Sequence, residues 1–384
     1  MASALLAAFA VSCASDTDQA YPGGDATGLP DGAIAAVLVG PRGLESISDQ
    51  DRSVLFFFDE KGDVKGRVEG GALTGNRVIT GTEGVVTAAA GSVTSLTGPA
   101  RDQYDTGLDS PLQAAASSAI TDSTTLWFDV GVVDQSYRSN FVSISDSAQM
   151  KTGSVEGIVG TTGYCGDRNV AVVRQSFVGG DETPTRNSLY SMAPNSEPLA
   201  LSEWDFDPEF RPVTSVSPCS GDGRYLYSLY ASADTVAAET QGPGLVLVKF
   251  DTTDGAVTQT QLSMPGYTWS THRSSLAIID DRLYWVSHDE DVLSIALDGS
   301  SRVEKLWSLP NSASIVVQAN NNLLSTVSSD DEIVFNQYEL KTGEPVRPPI
   351  VLPWLGDVEG RQTEGGGTIY KIVDTSALST TGRR

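Results

Sequence analysis

Short apolar runs alternate with turn-forming residues along this chain, and in its second half they recur at a fixed interval. Gly255, Gly299 and Gly343 lie 44 residues apart, and each separates one apolar run from another strand-like run. The runs RLYWVS and YLYSLY are short and rich in β-branched and aromatic residues, which is typical of β-strands. The pattern therefore predicts one β-hairpin that is repeated along the chain.

A repeat of this length is typical of the four-stranded blade of a β-propeller. We therefore predict an all-β chain with seven four-stranded blades, and six or eight blades remain alternatives because one of the turns is weak. The four further turns are at Pro194 and Asn195, near Ser147, near Asp105, Thr106 and Gly107 (the weak one), and at Lys61 and Gly62.

The two ends of the chain supply the material that closes the ring. The strand-like segment GTIYKIVD at 367–374 is left over after the seventh hairpin, and the first hairpin is preceded by one clear strand, AIAAVLV at 33–39. We predict that the C-terminal strand is the inner strand of the first blade, because closure removes exposed sheet edges. The propeller would then span 33–376, followed by a disordered tail at 377–384.

Some segments depart from the repeat. Residues 109–120, DSPLQAAASSAI, have a capping residue at Asp109 or Ser110 and a proline in the first turn, which together predict a helix between blades. The stretches at 98–122, 178–188 and 231–244 are the least repeat-like. We expect them to be loops that carry binding specificity, or else plain solvated connections.

The N-terminus indicates the compartment. Residues 1–12 form an apolar run that is too short to span a bilayer but is adequate for a signal peptide. Small residues precede Cys13, and this arrangement resembles the cleavage site of bacterial lipoproteins. The resemblance implies lipidation of Cys13, followed by a flexible tether at 13–32 that is rich in Gly, Asp and Pro. The alternative is a secreted protein with a chance cysteine.

Cysteine usage agrees with export. The chain has three cysteines, and assigning Cys13 to lipid leaves Cys165 and Cys219 as a pair. Both precede a strand at comparable places in what should be adjacent blades. We therefore predict a disulfide between them, with two buried free thiols as the alternative.

The charge restricts the partners. The formal net charge is -24, with 49 acidic and 25 basic residues, so nucleic acid and anionic headgroups would be repelled. We expect a protein or glycan of the cell envelope as partner, with membrane contact through the anchor at Cys13 alone. The protein would be found at the outer face of the cytoplasmic membrane or elsewhere in the envelope.

Catalytic signatures are weak. The chain has two histidines, His272 and His288. His288 beside Asp289 could form a polar site, but SHDED is also typical of a solvated turn. We expect no metal, no cofactor and no catalysis. The alternative function is a polysaccharide hydrolase or lyase that uses carboxylates or His288 in the central funnel.

One segment resembles a known repeat. RLYWVSHDEDVLSIALDGSSRVEKL at 282–306 has Leu283, Tyr284 and Trp285 on one strand and a later strand that ends in Leu297, Asp298 and Gly299. This order is similar to the YWTD-type propeller repeat, although Val286 and Ser287 stand where that family has Thr and Asp. The resemblance implies a bacterial envelope propeller, and it implies nothing about chemistry. We therefore expect a binding or assembly module.

Overall fold

The computed structural model describes residues 21–41, 51–82, 84–118, 120–145, 147–175, 185–206, 210–232, 245–263, 275–287, 289–310, 314–320, 322–329, 331–361 and 369–378. These residues form 28 strands and one helical turn, α1 (Pro353–Gly356). The strands are β1 (Ala35–Pro41), β2 (Arg52–Phe58), β3 (Val64–Gly71), β4 (Ile79–Thr80), β5 (Gly84–Ala89), β6 (Ser92–Thr97), β7 (Ala100–Asp105), β8 (Leu112–Ser117), β9 (Thr124–Val133), β10 (Ser136–Ile144), β11 (Met150–Glu156), β12 (Ile158–Cys165), β13 (Arg168–Arg174), β14 (Thr185–Met192), β15 (Leu199–Phe206), β16 (Phe210–Pro212), β17 (Tyr225–Ser232), β18 (Leu245–Asp251), β19 (Val257–Gln261), β20 (Ala277–Ile279), β21 (Arg282–Val286), β22 (Asp291–Ala296), β23 (Glu304–Ser308), β24 (Ser314–Asn320), β25 (Leu323–Ser329), β26 (Ile333–Glu339), β27 (Ile350–Val351) and β28 (Tyr370–Ala377).

The strands form seven four-stranded antiparallel sheets, which are the blades of a seven-bladed propeller. Blade 1 has the order β28-β1-β2-β3, and blades 2 to 7 follow in chain order as β4–β7, β8–β11, β12–β15, β16–β19, β20–β23 and β24–β27. The first strands of blades 7 and 1 to 5 lie at the inside of the ring, since contacts run from β24 to β28, β4, β8, β12 and β16. The predicted fold class and blade number are confirmed.

The predicted closure is also confirmed. β28 pairs antiparallel with β1, and Ala377 lies opposite Ala35. The hydroxyl of Thr375 donates to the carbonyl oxygen of Ala36, 339 residues away in the chain. The last strand is therefore the inner strand of the blade that the N-terminus begins.

The core is divided between the blade interfaces. Seven clusters of buried apolar side chains are present in the described residues, one at each interface. In β2, Phe56 and Phe58 contact blade 7, whereas Leu55 and Phe57 contact blade 2. Successive side chains of a strand point to opposite faces, and both faces are covered. The continuous run VLFFF follows from this arrangement.

Each blade turns from its third to its fourth strand through a residue with positive φ. Six of these turns match the predicted positions, including Gly62, Asn195 and Gly255 at φ +82°, +59° and +76°. In blade 2 the prediction near Asp105 is wrong, because β7 ends there and the turn is at Gly98, at φ +52°. The Gly-Pro pair at 98 and 99 is the local signal that marks this turn.

The helix predicted at 109–120 is also wrong. Residues 112–117 form β8, the inner strand of blade 3, and Ala114, Ala115 and Ala116 are buried. Alanine favours a helix by only a few tenths of a kcal/mol per residue over most residues, and pairing with β9 outweighs that preference. The stretch at 98–122 is therefore not a single loop, since it contains β7 and β8.

Residues 21–32, the described part of the predicted tether, are bonded to the propeller. The amide of Ala26 donates to the carbonyl of Arg67 at 2.8 Å, and that of Leu29 donates to Gly98 at 2.7 Å. The side chains of Ala26 and Leu29 are buried between blades 1 and 2. These two buried side chains and the two backbone bonds together attach the segment to the propeller.

We predict that alanine at Gly343 destabilises the ring more than alanine at Gly91. The two glycines have φ +73° and +77°, but a Cβ at Gly343 would lie 2.6 Å from Cδ2 of Trp307, whereas at Gly91 it would meet no atom within 4 Å. Gly91→Ala should lower the unfolding free energy by about 1–2 kcal/mol, and Gly343→Ala by about 1–3 kcal/mol more. Urea unfolding followed by circular dichroism measures both losses.

The control for this prediction is a second substitution at the contact itself. In a Trp307→Leu background the indole is absent, so Gly343→Ala should cost about as much as Gly91→Ala. Equal losses for the two alanine variants in the wild-type background would contradict the prediction.

Candidate functional site

A cavity of about 570 Å³ lies on the axis of the ring, and all seven blades line it. Its lining residues come from the inner strands, such as 115–117 of β8 and 318–319 of β24, and from the residues just before β4 and β20. The segments that follow the inner strands of blades 3, 4 and 5 complete the lining. We call this cavity the cup. Its volume is in the range of small-molecule pockets, about 300–1,000 Å³.

Arg77 lies at the deep end of the cup and spans the axis. It precedes β4 in blade 2, and its Nη1 donates to Oγ of Ser215 in blade 5 at 2.6 Å. Its Nη2 donates to the carbonyl oxygen of Gln113 in blade 3 at 3.4 Å. The guanidinium therefore connects three blades and forms the floor of the cup, since Ser215 and Gln113 precede the lining residues of their own blades.

Asp374 also faces the floor, from β28 in blade 1. Its Oδ2 accepts from the amide of Val78 in blade 2 at 2.9 Å, and its Oδ1 accepts from the amide of Thr375 at 2.9 Å. The residue is 4% exposed. Burial raises the pKa of Asp374 to about 6, while the two amides and Arg77 act in the opposite direction.

The wall between blades 4 and 5 is held by backbone bonds between the two inner segments. The amide of Thr162 donates to the carbonyl of Ser215 at 3.1 Å, and the amide of Ser217 donates to that of Thr162 at 2.8 Å. The hydroxyls of Thr161 and Ser217 share a bond of 2.7 Å. Gly163 allows this approach, because a Cβ there would lie 2.1 Å from the carbonyl oxygen of Ser217.

The predicted disulfide is confirmed. Cys165 and Cys219 are bonded, with their Cα atoms 5.3 Å apart. Cys165 ends β12, and Cys219 lies in the segment between β16 and β17. The bond therefore links blades 4 and 5 at the same wall of the cup.

The remaining predicted site residues are Cys13, His272, His288 and Asp289. Cys13, His272 and His288 are outside the described residues. Asp289 is exposed and follows β21, at a turn in which the amide of Glu290 donates to the carbonyl of Ser287 and the amide of Ser287 donates to that of Asp291. Asp291 accepts from Lys305 Nζ at 2.7 Å. Asp289 and Asp291 do not line the cup, and the described part of SHDED is a turn.

Within the described residues, no group of three or more His, Cys, Asp or Glu side chains could hold a metal ion. No helix in that part of the chain is long and apolar enough to cross a membrane.

No prediction from the sequence pointed to Arg77, Asp374 or Tyr164, which is the aromatic residue among the described residues that line the cup. One signal was present for Asp374, since it is a charged residue at the end of the strand-like segment GTIYKIVD. A charge in a strand that is buried on both faces indicates a polar partner. Arg77 follows β3 in a polar stretch and had no comparable signal.

No family model matches this chain, and no curated protein matches it in sequence. Similar solved structures include BamB from Moraxella catarrhalis, which is 12% identical with a TM-score of 0.39 over 70% of this chain and 74% of that one. Apo AztD from Citrobacter koseri is 11% identical with a TM-score of 0.46, over 90% and 99%. A Synechocystis apocarotenoid oxygenase mutant is 10% identical with a TM-score of 0.46, over 92% and 94%. The fold assignment rests on the seven sheets of this chain and not on these likenesses.

We predict that Asp374 makes the stability of the ring fall as pH rises from about 4 to about 6. The pKa of Asp374 is raised from its usual value of 3.8 to about 6, so the folded state binds this proton more tightly than the unfolded state. The stabilisation is complete below pH 4 and is lost above pH 6. The unfolding free energy of wild type minus that of Asp374→Asn should fall by up to about 3 kcal/mol over this range.

Chemical unfolding at pH 4, 5, 6 and 7 measures the difference. Ser376→Ala is the control, because it changes a buried neutral neighbour on the same strand, and its difference from wild type should stay constant with pH. A wild-type advantage over Asp374→Asn that grows with pH would contradict the prediction.

Proposed function

We propose that this chain is an exported, non-catalytic binding propeller that receives part of an envelope partner in the cup. The observation that carries the proposal is the construction of the cup. Seven inner strands surround one cavity, and Arg77 closes it at the deep end. A rigid concave site with a few placed polar groups is the usual form of a ligand pocket.

The buried acid of the cup favours binding over catalysis. Both carboxylate oxygens of Asp374 accept hydrogen bonds from backbone amides, and the side chain is buried. A general acid or base must reach the proton that it transfers. Asp374 is thus suited to holding blades 1 and 2 together, and its raised pKa follows from that burial.

We also propose that Cys13 is lipidated after removal of residues 1–12. Two of the three cysteines form the disulfide, which leaves Cys13 for this role. Tyr21 is held at blade 1, because Arg67 Nη1 donates to its carbonyl oxygen at 3.0 Å. Tyr21 lies eight positions after Cys13 in the chain, and eight extended steps span at most about 28 Å. The ring would then lie close to the membrane.

Mass spectrometry of the protein recovered from the membranes of a bacterial host tests the anchor. We expect an N-terminal peptide that begins at a diacylated Cys13, and we expect Cys13→Ser to shift the protein to the soluble fraction. Recovery of an unmodified Cys13 peptide would contradict the anchor and would leave the plain secreted form.

A tryptophan at the mouth of the cup tests the binding site. Gly221 lines the cup, its φ is not positive, and a Cβ there meets no atom within 4 Å. Gly221→Trp should therefore fold normally and obstruct the cup. In-cell crosslinking followed by mass spectrometry should recover the partner with wild type, and at least tenfold less of it with Gly221→Trp.

The matched control is Gly356→Trp. Gly356 ends α1 in blade 7, away from the cup, and a Cβ there also meets no atom within 4 Å. This variant should capture the partner as wild type does. Equal capture by both tryptophan variants would exclude the cup as the binding site.

A further inference from the structure

The charges of the cup limit the ligand that it can take. Among the described lining residues, the charged ones are Arg77, Asp222 and Asp374. Arg77 lies near enough to Asp374 to lower the pKa of its carboxyl, so the floor carries two opposite charges that offset each other. A ligand that reaches the floor therefore gains little from a net charge of its own.

The rim carries the remaining charge. Asp222 is exposed, and its Oδ1 accepts from Oγ of Ser220 at 2.5 Å and from the amide of Arg224 at 3.0 Å. An anionic ligand would pass this carboxylate on a chain with a net charge of -24, so a negative charge on the ligand is disfavoured at the rim. A cationic ligand would find no net negative charge at the floor, where Arg77 offsets Asp374.

Hydroxyl groups supply much of the polar lining. The hydroxyl of Ser117 bonds to that of Thr124 at 2.6 Å. Such a pair uses one of its two hydrogens, so it keeps a further donor and further lone pairs for a ligand. Thr80 and Ser220 add two more hydroxyls to the wall. The hydrogen bonds of these hydroxyl groups hold them in place before a ligand arrives, which reduces the entropic cost of binding.

Tyr164 supplies an aromatic wall. Tyr164 lies on β12, and its hydroxyl forms a hydrogen bond of 2.9 Å with the hydroxyl of Thr125. This bond fixes the aromatic ring of Tyr164 against blade 3. Burial raises the pKa of Tyr164 to about 12, so the ring is neutral at ordinary pH. An immobile aromatic surface beside hydroxyl groups suits a ligand that has both C–H surfaces and hydroxyls.

We infer that the cup binds an uncharged saccharide, with Tyr164 as the surface on which the sugar ring packs and with Ser117 as a hydrogen-bonding partner. This inference rests on the proposed function, since it names the ligand class of the same site. We therefore expect the cup to bind the end of a neutral glycan more tightly than the end of an acidic one.

Isothermal titration calorimetry of the whole protein tests the inference. The probes are N-acetylglucosamine, cellobiose and maltose, with glucuronic acid as the charged comparison. We expect at least one neutral sugar to bind, and the acidic sugar to bind at least tenfold more weakly or not at all. No binding of any neutral probe, or preferred binding of glucuronic acid, would overturn the inference.

Two substitutions separate the role of the aromatic ring of Tyr164 from the role of its hydroxyl group. Tyr164→Ala should weaken sugar binding by about tenfold or more, whereas Tyr164→Phe keeps the ring and should stay within about threefold of wild type. Ser117→Ala should weaken sugar binding by about fivefold. Because it removes fewer atoms, this variant tests the site if Tyr164→Ala does not fold. Tyr137→Ala, on β10 and outside the cup, should leave the affinity unchanged.

The two proposals fail separately. If no neutral sugar binds but Gly221→Trp still loses the crosslinked partner, the cup is a binding site for another ligand and the saccharide inference is wrong. If sugars bind with equal affinity to wild type, Tyr164→Ala and Ser117→Ala, the sugar site lies outside the cup and the inference is wrong as well.

Discussion

Every blade of this protein has two apolar faces, and neither is stable in water without a neighbour. In blade 1 the side chains of β2 alternate between the interface with blade 7 and the interface with blade 2. Apolar burial is the dominant favourable term in folding, so an open row of blades would leave the faces at both ends exposed. The ring must therefore close, and closure depends on the pairing of β28 with β1 across almost the whole length of the chain.

The same closure builds the floor of the cup. β28 brings Asp374 to the amide of Val78 in blade 2, and Arg77 is the residue before Val78. The acid is buried because blades 1 and 2 meet around it, and that burial raises its pKa. Asp374 thus contributes to two properties at once: it bonds the closing strand to the next blade, and it offsets the charge of Arg77 at the base of the cavity.

The junction between blades 4 and 5 is built differently from a simple apolar interface. An apolar cluster is present there, as at the other interfaces, but backbone bonds, a hydroxyl pair and a disulfide are added on the side of the axis. A cross-link of this kind limits how far two neighbouring segments can separate. The wall that carries Tyr164 is consequently joined to the wall that carries Ser220 and Asp222, and the shape of the cup on this side is tied to the integrity of the junction.

Local patterns determined the architecture of this protein, and spatial neighbours decided its site. The repeat of hairpin glycines, the short apolar runs and the leftover end strands predicted seven blades and the closure, because turn geometry and two-sided burial act over a few residues. Local patterns gave a wrong prediction at 109–120, because pairing with β9 outweighs the weak helix preference of alanine. The cup could not be predicted, since Arg77 and Asp374 are far apart in sequence and meet only in the closed ring. The disulfide could be predicted from the number and positions of the cysteines. The roles of Tyr164 and Arg77 depend on burial and on hydrogen-bonding partners that only the folded ring supplies.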